Sequence, residues 1–221
     1  MAKKLTRKEK IALQKQSGSN KPDQETSIIQ TSQAKKANPA NPGSHSNPAN
    51  RINERKKTKA LLGLIIAVLG FLLYANTLHH DYALDDFSLI KENFQTKKGT
   101  SALKEIFSSS YRAGYYLPDN DLYRPLSKAM FAIEWQIAPD KPSLSHWVNV
   151  ILYSITGFLL FYVLMLYMPG KMLLCTIAAL LFIAHPIHTE VVANIKRRDE
   201  ILSFLFFLLM ALFSLRYVQK N

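Results

Sequence analysis

Cysteine is the first scarcity of this 221-residue chain, which has only Cys175. One thiol excludes an intrachain disulfide framework and any zinc site built on paired cysteines. Aromatic residues are absent from residues 1–59, and acids are few there, four against 14 Lys and Arg. The reverse scarcity holds in the body, where charge of either sign is missing from four stretches. The net charge of +12 is therefore uneven, with +10 in the first 59 residues and +2 in the other 162. A basic, apolar-poor extension on a hydrophobic body excludes a single soluble domain and indicates a membrane protein with a polar tail.

Nucleic-acid binding is the function class that such a tail suggests first. It has no aromatic side chain to stack on bases, whereas bases beside an apolar run set orientation and attract anionic lipid. Met1–Lys15 offers only a thin apolar face of Leu5, Ile11 and Leu13. From Ser17 to Asn50 the residues are mostly Ser, Asn, Gln, Pro and Lys, with Asn-Pro at Asn38, Asn41 and Asn47. Too little apolar surface is available to offset ordering, so 1–59 is expected to be a disordered cytoplasmic tail. Its last piece, Arg51–Lys59, holds five bases and one acid. A cleaved signal peptide would not follow so long a polar segment.

Ala60–Leu78 is 19 residues without charge, about 28 Å as a helix and enough for a bilayer core. Trp147–Met168 is 22 uncharged residues and stops at Pro169-Gly170. Met172–Ala184 and Ile201–Leu215, at 13 and 15 residues, are each short for a span; both are expected to cross within a bundle. The fold expected is all-α and integral to the membrane, with four transmembrane helices. The amino terminus is then cytoplasmic, 79–146 forms an extracytoplasmic loop, and 147–221 adds three hydrophobic helices with an outer segment at 185–200. Lys196-Arg197-Arg198 would face outward, against the positive-inside rule, for which an anionic ligand is one reason.

The outer segments hold the polar chemistry. Asp85 and Asp86 are adjacent carboxylates near a low-dielectric surface, which separates their proton affinities and suits general-base work on a hydroxyl. Asp86 equally suits capping of the helix that follows. His79, His80 and Asp81 offer a metal-site alternative. Thr100 or Ser101 fits the cap of a short amphipathic stretch with Leu103, Ile106 and Phe107. Pro125 fits the first turn of a helix in which Leu126, Met130 and Ile133 share a stripe, and Trp135 sits at headgroup depth. Both stretches read as interfacial helices or as ordinary packing against the bundle. Arg124 meets either an anion or Asp121. A helix from Ile187 would align Glu190, Asn194 and Arg197 on one face.

These residues resemble a family. Tyr82-x-x-Asp85-Asp86, Tyr123-Arg124-Pro125-Leu126, His146-x-x-Asn149 and above all HPIHTEVVANIKRRDEIL are similar to the amino-terminal part of GT-C membrane glycosyltransferases. The branch is that of protein O-mannosyltransferase-like, TMTC-type proteins with tetratricopeptide repeats, and the likeness covers about residues 60–215. It implies a GT-C-like bundle that moves a sugar, mannose-like, from a polyprenyl-phosphate carrier to a hydroxyl acceptor such as protein Ser or Thr. It further implies Asp85 and Asp86 as catalytic, Arg124, Arg197 and Arg198 on the lipid phosphate, and His185, His188, Glu190 and Asn149 in support. No cofactor, metal or nucleic acid is called for; the partners are the membrane, the lipid-linked sugar and a protein acceptor. The setting expected is a multi-pass protein of a bacterial cytoplasmic membrane.

Three departures qualify the likeness. Tyr153 replaces a histidine common in relatives, the expected further spans are missing, and no 34-residue helical period appears. A fragment of such an enzyme is therefore the expectation. A catalytically silent scaffold is the first alternative, and a transporter or metal-handling piece using His79, His80, His185 and His188 is the second.

Overall fold

The computed structural model describes residues 48–116 and 122–220. Most of the expected disordered tail, and Asp121, lie outside them. The described residues form helices joined by turns, without strands. Helix α1 runs Pro48–Tyr74 and continues as a 3-10 turn, Ala75–His79. The boundary drawn at 59/60 therefore falls inside a helix, because Arg51–Lys59 contains neither Gly nor Pro to stop one.

The loop that follows carries a π turn at Phe87–Lys91, α2 at Phe94–Lys97, a 3-10 turn at Gly99–Ala102, α3 at Leu103–Ser108 and α4 at Pro125–Ile137. Then come α5 at Pro142–Tyr167, α6 at Met172–Ala184, α7 at His188–Ala193, a 3-10 turn at Ile195–Arg197 and α8 at Arg198–Lys220. Among the described residues three segments are long and apolar enough to cross a membrane: Ala49–His79, Pro142–Tyr167 and Ile195–Lys220. Ile201–Leu215 thus gains the length it lacked by itself, while Met172–Ala184 stays at 13 residues.

Small residues set the packing. A Cβ on Gly63 would lie 2.7 Å from the Phe158 ring, and one on Gly70 would lie 3.7 Å from the Ser154 backbone. Farther along, Tyr74 meets Tyr153 edge-on, with centroids 5.1 Å apart. Contacts that move up α1 as they move down α5 make the two helices antiparallel. Helix α8 instead runs parallel to α5, since Arg198 bonds Asn149 and Arg216 bonds Tyr162. Between apolar helices in lipid, such close fitting replaces the hydrophobic drive available in water. Tyr153, the departure noted above, donates its hydroxyl to the Ile183 carbonyl at 3.1 Å and satisfies the end of α6. The residue after that helix, His185, is extended, as Pro186 requires.

Helix α4 begins at Pro125 as expected, but its faces are reversed from those of a soluble helix. Ser127, Lys128, Phe131 and Glu134 are buried, while Leu126, Ile133 and Ile137 are exposed. An outward apolar stripe is what a helix lying on a membrane surface presents. Thr100 and Ser101 do not cap α3: Thr100 bonds Gln136 Oε1 instead, with its N–H at 2.8 Å and its hydroxyl at 2.7 Å.

Gly157 offers a test of this packing, because a Cβ there would stand 2.7 Å from Ile183 Cγ2. Gly157→Leu is expected to cost about 1–3 kcal/mol through overpacking. The measurement is thermal unfolding in detergent micelles, and an unchanged midpoint would contradict the close approach.

Candidate functional site

The outer loop and the segment between α6 and α8 meet at one end of the bundle. A turn at 83–86 starts the site. Asp86 N–H donates to the Ala83 carbonyl at 2.9 Å, Ala83 N–H donates to Asp86 Oδ2 at 3.0 Å, and Leu84 takes a left-handed φ of 46° between them. Asp86 Oδ1 accepts from the Lys196 N–H at 2.8 Å. Asp86 is 0% exposed and caps no helix with its side chain. It is a clasp between the two outer segments, and burial pushes its carboxyl above the ordinary range against the pull of those backbone N–H bonds.

Asp85, one residue earlier, turns the other way. Its side chain is 44% exposed; it takes the Lys196 ammonium on one oxygen and Arg112 Nη2 at 3.3 Å on the other. The Lys196 bond, aided by the Arg112 and Arg197 charges, holds its carboxyl below the ordinary range although partial burial opposes this. The carboxylate pair does separate its two proton affinities, as the sequence led us to expect. The cause is unequal burial and unequal cations more than mutual repulsion.

Arg112 is brought to Asp85 by a pinned loop. Lys128 is fully buried, and its Nζ donates to the Ala113 carbonyl and to Gln95 Oε1, each at 2.6 Å. Asn93 Nδ2 donates to the same Ala113 carbonyl at 3.0 Å. Gly114, at φ 91°, lets the chain pass where a Cβ would strike Asn93 Oδ1.

Arg198 is where the structure departs furthest from its expected role on a lipid phosphate. The residue is 0% exposed. Its Nε donates to Asn149 Oδ1 at 2.7 Å, Nη1 and Nη2 grip both Glu134 oxygens, and Nη2 also reaches the Ser145 carbonyl at 3.0 Å. The Phe131 ring covers the guanidinium, 4.5 Å from its centroid. A cation so enclosed has no face left for a ligand; it holds helices together. Asn149 completes the clasp by donating to the Asn194 carbonyl at 3.2 Å.

The expected helix from Ile187 is broken at Asn194, which is extended and accepts from the Lys196 N–H at 3.2 Å. Glu190 and Arg197 still meet, at 2.5 Å, and Arg197 also binds Glu200 at 2.6 Å. Arg124 pairs with Asp199 beside a cavity of about 220 Å³ that is also lined by Leu202 and Phe206. Each member of Lys196-Arg197-Arg198 thus has a carboxylate partner.

His188 lies against Phe182 and Tyr153 in a second cavity of about 350 Å³, and burial together with His185 lowers its proton affinity. His185 Nδ1 accepts from the Ile187 N–H, and His80 lies 6.1 Å from the buried His146. Among the described residues no three His, Cys, Asp or Glu side chains are grouped to hold a metal, which leaves the metal-handling alternative without a ligand set. Sequence reasoning missed Glu134, Arg112 and Asp199. Glu134 had a signal: an acid inside AMFAIEWQIA that lies off the stripe of Leu126, Met130 and Ile133.

Comparison with known proteins finds relatives over about two thirds of the chain. It is 38% identical over 152 residues to protein O-mannosyl-transferase tmtc2 of Xenopus laevis, covering 67% of this chain and 18% of that protein. Human protein O-mannosyl-transferase TMTC2 is 35% identical over 152 residues, again 67% and 18%, and human TMTC3 is 30% identical over 155 residues, 69% and 16%. The chain spans less than a fifth of the length of these relatives. They are animal proteins and lend the bacterial setting no support. No family model and no solved structure matches.

The clasp on Arg198 yields a stability test. Glu134→Ala leaves a buried guanidinium without its counter-charge and is expected to cost about 3–5 kcal/mol. Adding Arg198→Met should restore part of that loss in a double-mutant cycle read by thermal unfolding. Strictly additive losses would mean that the two side chains do not act as a pair.

Proposed function

We propose, for a chain that is a homologue of the TMTC-type protein O-mannosyl-transferases, that its outer end takes part in moving a mannose-like sugar from a polyprenyl-phosphate carrier to a hydroxyl, such as a protein Ser or Thr. The observation that carries this reading is an accessible carboxylate, Asp85, set between two cations. A carboxylate there accepts the acceptor's proton as its oxygen attacks the sugar's anomeric carbon. The bond from that carbon to the phosphate oxygen breaks, and its electrons leave with the phosphate. The leaving group gains negative charge, which nearby guanidinium and ammonium groups stabilise.

The roles differ from those read along the chain. Asp85 is the base, and Asp86 positions it through Ala83 and Lys196. Lys196, Arg112, Arg197 and Arg124 are the cations with exposed surface, whereas Arg198 and Asn149 serve the architecture. Glu190 orients Arg197. His185 and His188 sit beside the α6–α7 junction and shape its cavity. In this reading Met172–Ala184 is a short fourth crossing, and the base-rich end of the bundle faces the cytoplasm.

Asp85→Asn is expected to reduce sugar transfer to a Ser/Thr acceptor peptide by at least about 100-fold, with membrane insertion unchanged. The assay is transfer from a polyprenyl-phosphate sugar in membranes that hold the protein. Lys196→Gln removes the main cause of the low Asp85 proton affinity. The carboxyl then rises toward its ordinary value, so the acid limb of the pH–rate profile should move to higher pH. Full transfer by Asp85→Asn would remove Asp85 from the base role.

A further inference from the structure

The opposite end of the bundle has a different charge arrangement. Around Asp85 each base meets an acid, but Arg55, Lys56 and Lys59 on the first turns of α1 meet none among the described residues. The one acid nearby, Glu54, is taken by Lys57 at 3.1 Å. Lys171, Arg216 and Lys220 add further positive charge at the same end.

These bases stand over two grooves. One, about 380 Å³, is lined by Arg55, Thr58 and Lys59 with Met165, Gly170 and Met172. The other, about 410 Å³, is lined by Lys56, Lys59 and Ala60 with Phe158, Tyr162 and Leu166 among its walls. Lys59 and Met165 line both, so Lys59 stands on the ridge between them. Arg216 donates to the Tyr162 hydroxyl at 2.9 Å, which fixes the rim of the second groove.

We infer that this end is a binding site for an anionic glycerophospholipid, with the headgroup phosphate on Arg55, Lys56 and Lys59 and acyl chain along Met165, Phe158 and Leu166. Charge complementarity selects an anion. The apolar walls begin one turn into a membrane-crossing helix, where an acyl chain runs and a free phosphate finds nothing. The site lies at the end away from the sugar chemistry and does not depend on it.

The test uses the whole 221-residue chain, purified in detergent and titrated with dioleoyl phosphatidylglycerol or dioleoyl phosphatidylcholine, with retained lipid counted by native mass spectrometry. Phosphatidylglycerol should be held about tenfold more tightly. Arg55→Gln with Lys59→Gln should abolish that preference. Lys104→Gln with Lys141→Gln removes the same charge at the other end of the bundle, from two exposed side chains, and should preserve it. The dihexanoyl lipid should bind more weakly than the dioleoyl one. Equal retention of phosphatidylcholine, equal loss in both double variants, equal binding of short and long chains, or displacement by millimolar inorganic phosphate would each overturn the proposal. Helical circular dichroism of each variant keeps loss of the lipid distinct from loss of the fold.

Discussion

One buried guanidinium organises the outer end of this protein. Arg198 is the first residue of α8, Glu134 lies in α4, and Ser145 and Asn149 are in the first turns of α5. Their hydrogen bonds tie two membrane-crossing helices and the outer loop at one point. An ion pair this enclosed gains little net stability over an apolar filling, because both charges give up water. What it does is fix direction. Asn149 bonds both Arg198 and the Asn194 carbonyl, so the chain between them turns at one defined place. Lys196 N–H then faces Asp86, and the Lys196 ammonium faces Asp85.

From that constraint follows the unequal pair of aspartates. Identical residues side by side become an inward clasp and an outward acid: Asp86 is held by the Ala83 and Lys196 N–H groups, while Asp85 meets the side chains of Lys196 and Arg112. The clasp carries the cost of burial; the exposed carboxylate keeps its charge through two cations. A site that needs a proton acceptor near a phosphate has an inherent conflict, since cations that welcome the phosphate also weaken the base. Here the same cations, Lys196 and Arg112, pair with Asp85. In the proposed reading, the substrate phosphate competes for them and frees the carboxylate to accept a proton.

How much of this was legible along the chain depended on whether the cause was local. Apolar runs declare helices by length, Pro125 declares a helix start, and the run at Ile201–Leu215 needed only its polar flanks to reach spanning length. The resemblance of Asp85, Asp86 and the His185–Leu202 block to a known family was likewise visible residue by residue. The break at Asn194 was not, because helical periodicity through Val191, Ile195 and Leu202 is as good with the break as without it. Nor was the inward turn of Arg198. Three adjacent bases look alike in sequence, and their partners, Asp85, Glu190 with Glu200, and Glu134, come from three separate stretches of the chain. Which base is buried is a fact of packing that spacing along the chain does not encode.

The two ends of the bundle apply opposite rules to positive charge, and the contrast bears on what each end meets. Lys196, Arg197 and Arg198, at the end that holds Asp85, are neutralised by carboxylates of the same chain, so their fields are short-ranged and specific in direction. Arg55, Lys56 and Lys59 of α1 meet no carboxylate among the described residues, and the strongest complementary field for them is an anionic lipid surface. The excess of +12 thus lies mostly in residues 1–59, whereas the bases around Asp85 are held in ion pairs. In the proposed reading, chemistry belongs to the pairs on Asp85, where opening one exposes a charge at a defined atom.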